Sequence, residues 1–109
     1  MVKAVFFDID GTLISFTTHT IPESTQRALH ALRQKGVRVF IASGRPPLQM
    51  QFLQELTDFA FDGYVVMNGQ YCYDAKGPFY QLPIPTDALR QLLPWLGKSG
   101  VSCSFVELD

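Results

Sequence analysis

The chain has 109 residues, the length of one domain by the usual size of roughly 100–150 residues. Its 47% hydrophobic content supports a core, and its 17% charged fraction argues against disorder. With a net charge of −1 and no basic stripe nothing points to a nucleic-acid partner, and no apolar run approaches the roughly 20 residues of a membrane span. Met1-Val2-Lys3 followed by a short apolar run is not a signal peptide. Cys72 and Cys103 lie far apart, so a reduced, cytoplasmic protein is expected. The absence of any GxxxxGK[ST] pattern excludes P-loop chemistry.

Lys3 to Phe7 is rich in β-branched and aromatic residues and predicts a strand buried on both faces. It ends in Asp8-Ile9-Asp10-Gly11, at the sheet edge where open α/β folds bind ligands. Asp8 and Asp10 are two apart and share a face in strand geometry, unless a turn re-aims one of them. Gly11 lets the chain leave the strand end sharply. Two such close carboxylates repel unless a cation holds both ionised or one keeps a proton. An all-oxygen site suits Mg²⁺ completed by waters and a substrate phosphate. One carboxylate can then attack as a nucleophile while the other moves protons.

Ile14 to His19 has no clear period and reads as an irregular loop. Thr20-Ile21-Pro22-Glu23 has the pattern of a capping box. The helix it opens carries a stripe of Ala28, Leu29 and Leu32, with Gly36 suited to its end. His30 falls beside the stripe and reads as a boundary residue. Val37 to Ala42 is a second strand, and helix, glycine, strand makes a βαβ crossover, so it should run parallel to the first. It ends in Ser43-Gly44-Arg45-Pro46. Parallel strands share one carboxyl edge, so Ser43 comes near Asp8 across 35 residues of sequence. A hydroxyl and free backbone N–H groups in such a turn can hold a phosphoryl oxygen. Arg45 adds charge at the pocket rim or stands as a surface residue at a helix start.

Pro47 to Leu56 predicts a second helix, and Thr57 to Asp62 a connection with two phenylalanines over the core. Gly63 to Met67 is a third strand ended by Asn68-Gly69, strong turn chemistry. Gln70–Asp74 and Pro78–Leu82 flank Ala75-Lys76-Gly77 as a hairpin. Thr86-Asp87 opens a helix with Leu89, Leu92, Leu93 and Leu96, disturbed near its end by Pro94 and closed by Gly97 and Gly100. Val101 to Leu108 predicts a last strand.

Asp8-Ile9-Asp10-Gly11-Thr12-Leu13 resembles the first motif, DxDGT[LV], of the haloacid dehalogenase (HAD) superfamily of phosphotransferases. Ala42-Ser43-Gly44-Arg45-Pro46 resembles the second motif as it stands in the Cof-type branch, which inserts an α/β cap after the third strand. The resemblance implies an α/β fold with a Rossmann-like parallel three-layer core. Residues 1–69 would hold its first three strands and residues 70–109 the start of an α+β cap. It implies Asp8 as the nucleophile that becomes an aspartyl phosphate. Asp10 would be the general acid/base, with its carbonyl in the Mg²⁺ shell. Ser43, with Gly44 and Arg45, would bind phosphate, and Asn68 would contact substrate at the site entrance. Ile14 to His19 would be the squiggle and flap. The activity implied is a Mg²⁺-dependent phosphomonoester hydrolase acting on a small phosphorylated metabolite.

The family's late lysine and its GDxxxD-type acidic pair have no match here, so the expected fold is incomplete and the isolated chain is expected to be nearly inactive, marginally stable or self-associating. A non-catalytic binding fragment is the alternative. A phospho-signalling receiver domain would carry its phosphorylated Asp at the end of the third strand, where this chain has Met67-Asn68-Gly69.

Overall fold

The computed structural model describes residues 1–108. Five strands form one mixed sheet in sequential order: β1 (Ala4–Phe7), β2 (Arg38–Ala42), β3 (Gly63–Val66), β4 (Tyr71–Asp74) and β5 (Gly77–Gln81). β1 and β2 pair in parallel, with Phe7 opposite Ile41, and β2 and β3 pair in parallel, with Ala42 opposite Val65. The three carboxyl ends therefore lie side by side, as the crossover pattern predicts. β4 and β5 form the expected hairpin, and β4 also pairs antiparallel with β3, so the sheet continues without a break past residue 70.

Helix α1 (Glu23–Gln34) makes the crossover beside β2. Gly36, at φ 75°, ends it: the Gly36 N–H donates to the Arg33 carbonyl and the Val37 N–H to the Leu32 carbonyl. The expected capping box does not form. Pro22 takes the N-cap position, no side chain caps the helix, and Thr20 Oγ1 donates to Thr18 Oγ1 instead.

The predicted helix over Pro47–Leu56 is split. A 3₁₀ turn (Pro47–Met50) is followed by a single-turn helix, α2 (Leu53–Leu56). Met50 and Leu53 are both buried, which fixes the segment by packing rather than by helical hydrogen bonding.

The core gathers Ile9, Leu13, Ile21, Leu29, Val39, Ile41, Leu53, Phe59 and Val66. The connection after α2 lies over it as expected, with Phe59 buried and Phe61 packed edge-on at 5.1 Å. Asp62 locks this connection to β2. Its Oδ2 accepts the Val39 N–H at 2.7 Å and an Arg33 Nη2–H at 3.1 Å.

Three further expectations fail. β1 is not buried on both faces: it is an edge strand with one neighbour, and Phe6 is 55% exposed, stacked on Phe40 at 4.8 Å. Val101 to Leu108 forms no strand and pairs with none of the five strands, so its backbone lacks the ladder hydrogen bonds a strand requires. In helix α3 (Thr86–Ser99), Pro85 rather than Thr86 or Asp87 takes the N-cap position, and Pro94 and Gly97 lie inside the helix. Gly100, at φ 68°, ends it. α3 buries no residue. The radius of gyration, 17.1 Å, exceeds the roughly 13 Å of a compact domain of this length. No helix among the described residues is long and apolar enough to cross a membrane.

Candidate active site

The site grows from three loops at the carboxyl ends of β1, β2 and β3. The first is a tight turn. The Thr12 and Ile14 N–H groups donate to the Ile9 carbonyl, the Leu13 N–H to the Asp8 carbonyl, and the Gly11 N–H to the Ile14 carbonyl. Ile9, Leu13 and Ile14 are buried and anchor the turn in the core. Anchoring Ile9 inward turns Asp8 and Asp10 outward, which is the alternation their spacing predicts. Gly11 has φ 77°, and a Cβ there would run into the Phe16 ring, so this corner requires glycine.

Asp8 Oδ1 accepts the Ile9 N–H at 2.8 Å. That bond fixes the carboxylate's rotation and leaves Oδ2 free of protein partners among the described residues.

The second loop positions Ser43, which is buried. Its N–H donates to the Val65 carbonyl at 2.9 Å, and its Oγ accepts the Arg45 N–H at 3.1 Å. With a lone pair used in this way, the hydroxyl hydrogen is available to a ligand.

The third loop is a turn over Met67–Gly69 in which three successive residues have positive φ, at 52°, 56° and 92°. Backbone bonds strap it to the second loop, from the Asn68 N–H to the Ser43 carbonyl and from the Met67 N–H to the Arg45 carbonyl. Gly44 admits the Asn68 side chain: a Cβ on Gly44 would stand 3.0 Å from Asn68 Oδ1.

Asp8, Ser43, Gly44 and Asn68 line one open cavity of about 420 Å³, together with Ala42, Val65 and Gly69. Four residues singled out in the sequence are therefore brought together. Asp10 and Arg45 do not line this cavity. They form a two-point ion pair beside it, Arg45 Nε to Asp10 Oδ2 at 2.9 Å and Nη2 to Oδ1 at 2.8 Å. The hydrogen bonds from Arg45 hold the Asp10 carboxyl below its usual range, against a smaller opposing effect of burial. The Arg45 guanidinium lies 4.7 Å over the Phe52 ring. Sequence reasoning missed this pairing. The available signal was that adjacent parallel strands place the residues following them at one edge.

The oxygen donors suit Mg²⁺ as part of a shell. Asp8 offers a carboxylate oxygen, and the Asp10 carbonyl accepts no hydrogen bond among the described residues, unlike those of Asp8 and Ile9. No cluster of three acidic, His or Cys side chains occurs among the described residues, so waters, substrate and other groups must supply the remainder.

Residues 5–109 match the family described as haloacid dehalogenase-like hydrolase, and the chain belongs to that family. It is 41% identical over 92 residues to a Bacillus subtilis (strain 168) protein that carries the name of a phosphatase, covering 84% of this chain and 34% of that one. The HMP-PP phosphatase of Yersinia pestis (strain Pestoides F) is 35% identical over 99 residues, covering 87% and 35%. Among solved structures, a sugar phosphatase of HAD subclass IIB superposes with TM-score 0.78 at 44% identity, covering 98% of this chain and 42% of that one. The chain thus spans about a third of the length of these two curated relatives.

Proposed function

We propose that this chain carries the nucleophile, the acid/base and the phosphate cradle of a phosphomonoester hydrolase that works through an aspartyl phosphate. The observation that carries the reading is the cavity shared by Asp8, Ser43, Gly44 and Asn68, with Asp10 two residues beyond the nucleophile. Residues 1–69 belong to the core in this reading, and residues 70–109 begin a cap.

Asp8 Oδ2 attacks phosphorus in line with the ester oxygen, since Oδ1 is engaged by the Ile9 N–H. The P–O ester bond breaks, and the leaving oxygen takes a proton from Asp10. Water then attacks the aspartyl phosphate while Asp10 accepts its proton, releasing phosphate and restoring the Asp8 carboxylate. The Ser43 hydroxyl and the Gly44 N–H face the phosphoryl oxygens. Mg²⁺, when bound, would be held by the Asp8 carboxylate and the Asp10 carbonyl and would neutralise phosphoryl charge. The names of the relatives support a small phosphorylated metabolite as substrate, such as a sugar phosphate or HMP-PP. Two free cysteines suit a reducing, cytoplasmic compartment.

The test is hydrolysis of an aryl phosphate, with and without Mg²⁺, by this chain and by the protein of the whole reading frame. Asp8→Asn is expected to lower turnover by at least about 10³-fold. A variant that keeps the parent rate would overturn the assignment.

A second reading, a self-associating module, is favoured by the open edge of β1 and by the exposed Leu82, Ile84, Trp95 and Phe105. Light scattering decides it. A monomer with a sharp thermal transition counts against it.

A further inference from the structure

Arg45 is the residue at which all three strand-end loops meet. Its guanidinium holds both Asp10 carboxylate oxygens in the loop after β1. Its N–H donates to Ser43 Oγ in its own loop, and its carbonyl accepts the Met67 N–H from the loop after β3. The face of the guanidinium rests over Phe52, which itself packs against the core. A planar fork with two parallel bonds fixes the distance and also the rotation of a carboxylate, which a single point charge does not do.

We propose that Arg45 is a positioning residue for Asp10, setting the place and rotamer of the acid/base carboxylate beside the nucleophile rather than binding the phosphoryl group. The inference rests on the reading of Asp10 as acid/base. Two observations separate it from a phosphate-binding role. Arg45 does not line the cavity that holds Asp8 and Ser43. Its Nε–H and one Nη2–H are already donated to Asp10. The pair is partly exposed, with side chains 35% and 44% accessible, so its contribution to folding stability is small and its geometry is what remains to explain it.

Both Asp10 oxygens are held in the fork, so Asp10 enters the first half-reaction with its proton on an oxygen that Arg45 releases, and the fork re-forms once that proton has passed to the leaving oxygen.

The experiment uses Arg45→Gln and Arg45→Lys in the protein of the whole reading frame, with p-nitrophenyl phosphate and an alkyl phosphate as substrates. A misplaced acid is felt most by the poor leaving group. Arg45→Gln should lower kcat about 10²-fold on the alkyl ester and much less on the aryl ester, with KM and inhibition by inorganic phosphate within about 2-fold. Arg45→Lys should recover only part of the loss. Adding Arg45→Gln to Asp10→Asn should change nothing further. A tenfold weaker inhibition by phosphate, with equal kcat losses on both esters, would make Arg45 a phosphate ligand and overturn the proposal.

If Asp10→Asn alone shows no leaving-group dependence, the acid/base reading fails, and the positioning claim is then judged by NMR on the 109-residue chain. Coupling constants should report one Asp10 χ1 rotamer in the parent and averaging in Arg45→Gln. A single unchanged rotamer in the variant would overturn the proposal.

Discussion

Helices α1 and α3 both carry apolar residues at helical spacing, yet only α1 has a surface to lay them on. Leu29 is buried and Leu32 half-buried against the core, and Ile21 seals the helix entry. In α3 the matching stripe is not buried: Leu92 and Leu93 stay exposed, Leu89 and Leu96 are only half-buried, and neighbouring Trp95 is exposed as well. Both helices are amphipathic, and although Pro94 and Gly97 also weaken α3 from within, the burial differs because of tertiary contacts, where most helical stability in proteins originates. The site follows the same division. Its three loops stand on the strands that form the core, and nothing in it depends on α3.

The largest expected effect tests this contrast directly. Leu29→Ala is expected to cost about 2–5 kcal/mol in a denaturant titration. Leu93→Ala should stay within about 0.5 kcal/mol. Similar losses at both positions would mean that α3 is packed in solution and would break the comparison.

Asp62→Ala should cost about 1–3 kcal/mol, because it leaves the buried Val39 N–H unpaired and releases Arg33. Asp87, whose partner Arg90 stands 3.6 Å away on the exposed surface of α3, makes the control. Asp87→Ala should fall within about 0.5 kcal/mol. Hydrogen exchange on the same variants would show whether Asp62→Ala loosens β2 first.

A smaller effect concerns the hairpin. Tyr64 and Tyr73 face each other across β3 and β4 with rings stacked at 5.0 Å. Burial, with Tyr64 and Tyr71 beside it, pushes the Tyr73 phenol up to about 12. The folded state favours the neutral phenol, so this stabilisation is whole below the ordinary value of 10 and is lost as pH rises from there through about 12. Absorbance titration of tyrosinate should show a late-ionising phenol that Tyr73→Phe removes, with a shallower fall in melting temperature above pH 10. Ionisation of all four tyrosines together near pH 10 would show that the hairpin is not docked as described.

Local chemistry was legible where a residue's type dictates its geometry. The strand-to-acid turn at Asp8-Ile9-Asp10-Gly11 needs outward acids around an inward isoleucine and a glycine corner, and all of these are visible in the letters. Gly36 as helix end, the hairpin around Ala75–Gly77, and the approach of Ser43 to Asp8 follow from turn chemistry and from the parallel crossover. The pairing of Arg45 with Asp10 was not legible. A guanidinium at a strand end can reach phosphate, solvent or a carboxylate, and only the relative heights of two loops choose between them.

The sequence by itself determined the five strands of the sheet, the order of the elements, and which side chains stand at the carboxyl edge, because hydrophobic period, glycine and parallel crossover are local rules. The tertiary structure alone decided that β1 is an edge, that Pro47–Leu56 breaks into two pieces, that Val101–Leu108 is no strand, and that Asp10 faces Arg45. Each of these depends on which surface lies opposite a segment, a property of the folded neighbourhood and not of the segment's own residues.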